Sequence, residues 1–216
     1  MQGIPLNERK RLGALLDDRP QTEVMAMIPQ FSQAETDNFV APPAQIPEAL
    51  GVLMFNMERG VNLPEIQEFL RDCPDIQPFD VILANELDDG CARSGNKNTA
   101  RELAQAFGLN YAWGLEFIEL VNDENAKGFH GNAVFSRWPI RRAGVIRLPE
   151  QYNWYFDRQK RIGGRLAVFA ELDVGGQPVG AVSIHLENRT HGEGRKAQMA
   201  AILEAAVSYT HLTLPT

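Results

Sequence analysis

Three polar residues each follow an apolar run that is typical of a buried strand. Asn56 follows "VLMF", Glu86 follows "VILAN" and His185 follows "GAVSI". Burying a lone carboxylate or amide costs free energy unless the group is paired or binds a metal ion, and strand ends are where open α/β sheets form ligand sites. For any single one of the three, the start of a solvated loop is the simpler interpretation. The three together favour a shared site.

A divalent cation is the ligand that would join these residue types. Mg²⁺ prefers oxygen ligands, usually one or two carboxylates with waters completing the shell. Glu86 is therefore the predicted direct ligand of Mg²⁺ or Mn²⁺, and Asn56 is an orienting amide at the same metal. Histidine titrates near neutrality, so His185 could stabilise a phosphoryl oxygen or transfer a proton. The set predicts metal-assisted hydrolysis of a phosphate ester.

The apolar pattern around these residues predicts alternating strands and helices. The segments "VLMFNM" and "DVILANEL" are typical of buried strands, and "PEIQEFLRDC" between them predicts a helix. A second helix is predicted over "NTARELAQAFG", with Thr99 and Glu102 at capping-box spacing and Gly108 as its stop. Two further strands are predicted over "NYAWGLEFIEL" and "GNAVFSRW".

The carboxyl-terminal half predicts a hairpin and a last helix. In "RLAVFAELDV" every second residue from Leu166 to Leu172 is apolar, and "PVGAVSIHL" is the predicted partner strand across Gly175 and Gly176. The helix "GRKAQMAAILEAA" follows. Its predicted inward residues are Met199, Ile202 and Leu203. Because hairpins and crossovers both occur, we expect a mixed α/β fold, a two-sheet sandwich with outer helices.

Residues 1–50 are predicted to precede the main domain. A short helix is expected over residues 6–17, followed by the proline-containing linker "TDNFVAPPAQIPEALG". The helix could pack on the core or contact a partner. The net charge of -7 argues against a broad basic surface for nucleic acid, although a local cationic site is compatible with it. No apolar run suits a signal peptide or a membrane span, so we expect a cytoplasmic chain.

Several short motifs occur in a fixed order between residues 51 and 206. They are "LMFNMERG", "DVILANELD", "HGNAVFSRWPI", "GRLAVFAEL" and "VGAVSIHLENRT", followed by "GRKAQ". In type and order they resemble the endonuclease/exonuclease/phosphatase superfamily, which has the DNase-I-like fold. The resemblance implies a two-sheet sandwich that hydrolyses phosphodiesters or phosphomonoesters with Mg²⁺ or a similar ion. It also implies that Glu86 binds the metal, Asn56 is the active-site asparagine and His185 the catalytic histidine.

Other residues are weaker candidates for contact with a substrate. The resemblance suggests a phosphate-contacting arginine before the strand "LAVFAEL", where Arg161 and Arg165 occur, and a guanidinium group matches phosphate oxygens well. A solvated basic turn is an equal alternative. Asn132 and His130 open the "GNAVFSR" strand and are candidates to line the substrate cleft, although an asparagine there could merely cap a turn.

Two pairs of residues are assigned supporting roles. Arg195 and Gln198 share a face of the last helix and are predicted to tie it to the loop after His185. Asp88 and Asp89 either assist the preceding glutamate or cap the following loop.

Two motifs of that family are absent from the sequence. A Gly-Asp-x-Asn motif should follow the histidine strand and a Ser-Asp-His motif should lie near the end, yet no aspartate follows His185. Residues 207–216, "VSYTHLTLPT", resemble a translated sequencing adapter, and their β-branched residues and proline predict that they do not continue the helix. We expect a non-native tail on a carboxyl-terminally truncated domain, and an inactive chain.

The predicted function is that of a metal-dependent phosphoesterase, carried by the longer parent protein. Its substrate is a phosphate ester of a nucleic acid, a small molecule or a lipid headgroup, and the sequence does not separate these classes. The alternative is a non-catalytic module that binds a phosphate ligand. Such a module would be stabilised by its ligand without turning it over.

Overall fold

The computed structural model describes residues 1–211 of the 216. Residues 212–216 of the predicted tail lie outside the described residues. The strands are β1 (Ala34–Asp37), β2 (Val52–Arg59), β3 (Val81–Asp89), β4 (Asn110–Glu119), β5 (Phe129–Ser136), β6 (Ile140–Arg147), β7 (Arg161–Gly163), β8 (Leu166–Val174) and β9 (Gln177–Ile184). The helices are α1 (Leu6–Ala14), α2 (Gln21–Ala26), α3 (Leu63–Asp72), α4 (Thr99–Phe107) and α5 (Gly192–His211).

The strands form two sheets. The larger has six strands in the order β1-β4-β5-β3-β2, with β7 also paired to β4, and the smaller has the order β6-β8-β9. β2 and β3 are parallel because α3 connects them as a crossover, whereas the other pairs are antiparallel. The predicted mixed α/β fold with two sheets and outer helices is confirmed.

Two apolar cores lie on opposite faces of the large sheet. On one face α1, α3 and α4 bury residues such as Leu12, Leu70 and Leu103. On the other face the small sheet packs through the apolar side of β8, with Leu166 and Val168 in the core. The alternation predicted for this strand is therefore confirmed. A third cluster between β8 and α5 completes four layers of helices, sheet, sheet and helix.

The amino-terminal residues belong to the first of these cores. Ile4, Leu16, Val24 and Phe31 are buried in the same cluster as the large sheet's own residues, and β1 pairs with β4 at the edge of that sheet. The predicted helix over residues 6–17 is present as α1 and a following 3₁₀ turn. The structure therefore packs this helix on the core, a choice that the sequence left open.

Several local predictions are corrected by the structure. The residue that caps α4 is Asn98, whose side chain accepts a hydrogen bond from the Arg101 amide. The predicted cap, Thr99, donates its hydroxyl to the Asp88 carbonyl instead. Gly108 does end the helix, in the left-handed conformation that favours glycine.

The last helix also departs from its prediction. α5 continues to His211, past the expected end at residue 206, because β-branched residues lower helix propensity only slightly once a helix is propagating. Ile202 is buried, but Leu203 is 60% exposed, since α5 contacts the small sheet along a narrow stripe. Among the described residues no helix is long and apolar enough to cross a membrane.

Candidate functional site

Glu86 lies at an irregularity within β3, and not at the end of the strand as predicted. The register shifts on both sides of it, against β2 and against β5. Its backbone is left-handed, with φ of 59°, which costs a non-glycine residue about 1 kcal/mol. The side-chain oxygen of Asn132 accepts a hydrogen bond from the Glu86 amide at 3.1 Å. This geometry turns the Glu86 carboxylate into a cleft.

The buried side chain of Asn132 therefore stabilises the site from the protein interior. Its side chain is fully buried, and its amide nitrogen has no hydrogen-bond partner in the described chain. It was predicted to contact substrate, but the cleft lining does not include it. The side chain holds the backbone of Glu86 in place.

Asn56 lies on β2 beside the residue that precedes Glu86. Its register partner on β3 is Asn85, and its side-chain oxygen accepts a hydrogen bond from the Glu58 amide at 2.9 Å. The side chain lines a small groove between the two sheets together with Asn85 and Ser183. Asn56 therefore lies on the strand that adjoins Glu86, but it lines this groove and not the cleft that contains Glu86.

His185 directly follows β9 and faces Glu86. Its Nε2 lies 3.7 Å from Oε1 of Glu86. On the other side of the ring, Nη1 of Arg165 is 2.9 Å from Nδ1 and Oε2 of Glu116 is 3.5 Å from it. Residues distant in sequence therefore fix the imidazole beside the Glu86 carboxylate, so two of the three residues of the predicted shared site lie together.

A buried ionic cluster holds Arg165 in position. Its Nη1 lies 3.1 Å from Oε1 of Glu116, and its Nε lies 3.3 Å from Oε2 of Glu187. The indole of Trp154 donates a hydrogen bond to the same Glu187 oxygen at 2.8 Å. Burial alone would raise the pKa of Glu116, but the Arg165 charge and the neighbouring His185 outweigh it and lower that pKa to about 2.

Glu116 and Glu187 were not found from the sequence. Glu116 is the acid in the apolar run "YAWGLEFI" and Glu187 follows "SIHL". An acid within an apolar strand is a signal of a buried ion pair, because an unpaired buried carboxylate would be strongly unfavourable. Their partner lies far along the chain and is visible only in the folded structure.

A second buried network surrounds Asp88. Its carboxylate accepts two hydrogen bonds from Arg93, at 2.7 and 2.8 Å, and lies 2.9 Å from Nδ1 of His130. Burial alone would raise its pKa, but the bonds with Arg93 and His130 lower it to about 2. Asp88 thus binds Arg93 and Ser94 of the loop that follows β3, and Asp89 is paired with Lys127 at 2.7 Å.

The cleft above Glu86 has a volume of about 470 Å³ and is rich in arginine. The predicted substrate residues Arg161 and Arg165 both line it, as does His130. The guanidinium of Arg161 lies 5.2 Å from the ring centre of Phe117 and 5.1 Å from that of Trp154, and its Nε is 3.1 Å from Oε1 of Glu119. A concentration of guanidinium groups in a cleft of this size suits an anionic ligand.

The oxygen donors present are compatible with a hard divalent cation. The Glu86 carboxylate opens on the cleft, and no arginine or lysine of the described chain pairs with it. The Asn56 side-chain oxygen keeps a second lone pair besides its bond to Glu58. No group of three or more His, Cys, Asp or Glu side chains in residues 1–211 could hold a metal. The residues fit Mg²⁺ bound through one carboxylate and waters, and do not fit a site built entirely from protein ligands.

The loop after His185 is tied to α5 as predicted. The Gln198 side chain accepts a hydrogen bond from the Glu187 amide at 2.9 Å and donates one to the Pro149 carbonyl at 3.1 Å. Arg195 donates to the Thr190 carbonyl at 2.9 Å. The helix thereby positions Glu187, which in turn holds Arg165.

Two solved structures are similar to this chain. An endonuclease/exonuclease/phosphatase family protein from Leptotrichia buccalis C-1013-b is 20% identical at a TM-score of 0.49, over 73% of this chain and 63% of that one. SmcL is 13% identical at a TM-score of 0.46, over 78% of this chain and 60% of that one. The chain thus spans less than two thirds of either. No protein-family model and no curated protein matches the sequence, and we take no activity from either similarity.

Proposed function

We propose that the arginine-lined cleft is the substrate site of a metal-dependent phosphoesterase of the endonuclease/exonuclease/phosphatase superfamily. The observation that carries this proposal is the 3.7 Å approach of His185 to Glu86 at the base of a cleft lined by arginines. A carboxylate that can hold a metal ion, an imidazole and fixed guanidinium groups are among the groups that hydrolysis of a phosphate ester uses.

Each residue has a distinct role in this proposal. Glu86 would hold Mg²⁺ or Mn²⁺ with Asn56 as the orienting amide, and the ion would supply Lewis-acid chemistry at a phosphoryl oxygen of the substrate. His185 donates a hydrogen bond or a proton to the same phosphate group. Arg161 and Arg165 supply positive charge in the cleft, and Arg165 also keeps the imidazole in place.

Metal binding by this chain is the first test of the proposal. Titration of the purified chain with Mn²⁺, followed by calorimetry, is expected to show one site that is lost in Glu86→Gln. Glu102→Gln is the matched control, because Glu102 lies on the surface of α4 and pairs only with Lys97. Mn²⁺ binding that persists unchanged in Glu86→Gln would contradict the role of Glu86.

Hydrolysis is the second readout. In a protein that also carries the Gly-Asp-x-Asn and Ser-Asp-His motifs, Glu86→Gln should abolish Mg²⁺-dependent cleavage of bis(nitrophenyl) phosphate, while Glu102→Gln should cleave normally. Loss of a residue that acts as part of a catalytic unit removes nearly the whole rate enhancement. Equal cleavage rates in Glu86→Gln and Glu102→Gln would contradict the assignment of Glu86 as a residue of the catalytic site.

A non-catalytic module that binds a phosphate ligand is the second candidate. It is favoured by the absence, within the described residues, of any group of three or more acidic, histidine or cysteine side chains able to hold a metal. Such a module would be stabilised by phosphate ligands without metal and would show no turnover even in the longer protein. Metal-dependent turnover that requires Glu86 separates the two candidates.

A further inference from the structure

The arginines of the cleft fall into two groups. Arg161 and Arg165 are buried, and each lies within 3.3 Å of a buried carboxylate oxygen, from Glu119 for the first and from Glu116 and Glu187 for the second. Their charge is therefore largely compensated within the protein. These two arginines are placed to meet one phosphate group deep in the cleft.

The second group, here called the rim arginines, consists of Arg59, Arg158 and Arg189. Among the described residues, the hydrogen-bond partner of the Arg59 guanidinium is the neutral side-chain amide of Gln159, at 3.4 Å. Arg158 is exposed and makes no ion pair or hydrogen bond within the described part of the chain. Arg189 lies 3.5 Å from Asp157, the one acid other than Glu86 that lines the cleft. The rim therefore carries an excess of positive charge from Arg59 and Arg158.

The backbone of Arg59 is held in an unfavourable conformation. Glu58 and Arg59 have φ of 46° and 69°, in the left-handed region that non-glycine residues avoid, and Gly60 follows at 68°. The hydrogen bond from the Glu58 amide to Asn56 supports this turn. Strain of this kind persists where the surrounding structure over-determines it, and it concentrates at ligand sites. Here it directs the Arg59 side chain to the rim of the cleft.

We propose that Arg59 and Arg158 bind a second phosphate group of the substrate, separate from the phosphate that meets Arg161, Arg165 and His185. The substrate class is thus a phosphate ester that carries at least two phosphate groups. This inference rests on the proposed function, which assigns the deep site to the phosphate that is hydrolysed. The rim arginines contribute to phosphate binding independently of that assignment. A ligand with one phosphate would leave Arg59 and Arg158 without a partner.

Binding of the present chain to thymidine phosphates, without metal and at low salt, tests the proposal. We expect thymidine phosphorylated on both sugar hydroxyls to bind about tenfold more tightly than either thymidine monophosphate, since hydrogen bonds to charged groups are worth that much. Arg59→Gln and Arg158→Gln should each remove most of this tenfold preference, and each should weaken binding of the bisphosphate more than binding of either monophosphate. Arg158 has no protein partner, so its replacement does not disturb folding.

Arg141→Gln is the charge-matched control, because Arg141 pairs with Asp173 at the hairpin of the small sheet and does not line the cleft. It should retain the tenfold preference. Equal affinity for the bisphosphate and the monophosphates would overturn the proposal, and so would an equal loss of preference in Arg141→Gln. If the longer protein shows no metal-dependent hydrolysis while the rim variants lose the preference, the phosphoesterase assignment fails and the rim site stands.

Discussion

At the scale of single residues, Glu116 links the buried charges of the site. It is fully buried, lies 3.1 Å from Arg165 and 3.5 Å from His185, and keeps a lowered pKa of about 2. A carboxyl whose pKa is lower in the folded than in the unfolded state stabilises the protein above its unfolded pKa. That stability is lost as the pH falls from about 4.5 to about 2.

Glu116→Gln should therefore cost roughly 3 kcal/mol of unfolding free energy at neutral pH, because it leaves the buried Arg165 with Glu187 alone. The variant should also lose part of the fall in stability between pH 4.5 and 2. Urea unfolding across this pH range measures both effects. The remaining fall is expected from Asp88, whose pKa is also lowered to about 2. An unchanged pH profile in Glu116→Gln would rule out the assigned role.

At the scale of elements, β2 has one buried and one open face. The sequence predicts a continuous apolar strand buried on both sides, yet Met54 is 73% exposed while Met57 is fully buried against the helical layer. The reason is that β2 is an edge strand and the three-stranded sheet does not extend across it. A hydrophobic run specifies a strand, but not what covers each face.

The two methionines of β2 should respond differently to substitution. Met57→Ala is expected to lower the unfolding free energy by about 3 kcal/mol, because it leaves a cavity in the core. Met54→Ser should change it by less than about 0.5 kcal/mol, since little apolar surface is buried there. Thermal and urea unfolding of both variants measure the difference. Similar losses in the two would mean that the open face of β2 is covered.

At the scale of the whole molecule, the amino-terminal segment is part of the domain. Arg9 on α1 is buried and donates hydrogen bonds to the carbonyls of Asn125 and Lys127, at 2.6 and 2.9 Å. These carbonyls belong to the loop between β4 and β5. The residues before the predicted linker are therefore bound to the large sheet through this loop. Residues 1–37 therefore share the core on the helical face of the large sheet with α3, α4 and that sheet.

Arg9→Met should destabilise the protein by roughly 2 kcal/mol, because two buried carbonyl groups lose their donors. Lys10→Met is the matched control, since Lys10 is exposed and pairs with Asp123 on the surface. That pair is worth about 0.5 kcal/mol or less. Both variants should unfold in a single transition. A second transition in Arg9→Met would indicate that the amino-terminal segment unfolds as a separate unit.

The sequence by itself determined the features that depend on local pattern. Periodicity predicted the strands β2, β3, β4, β5, β8 and β9, the crossover helix and the hairpin at Gly175 and Gly176, because side-chain direction repeats along each element. The sequence also indicated Glu86 and His185 as candidate site residues, because burying a polar group at the end of an apolar strand costs free energy unless the group is paired or binds a ligand.

Only the tertiary structure decided how these candidates are supported. The pairing of Arg165 with Glu116 and Glu187, the support of Glu86 by Asn132 and the packing of α1 all join residues far apart in the chain. Such contacts follow from how the two sheets stack and where their strands are irregular. No local sequence pattern predicts these contacts. The residues adjacent in sequence to Arg165 or Glu116 carry no information about which distant residue each side chain contacts in the fold.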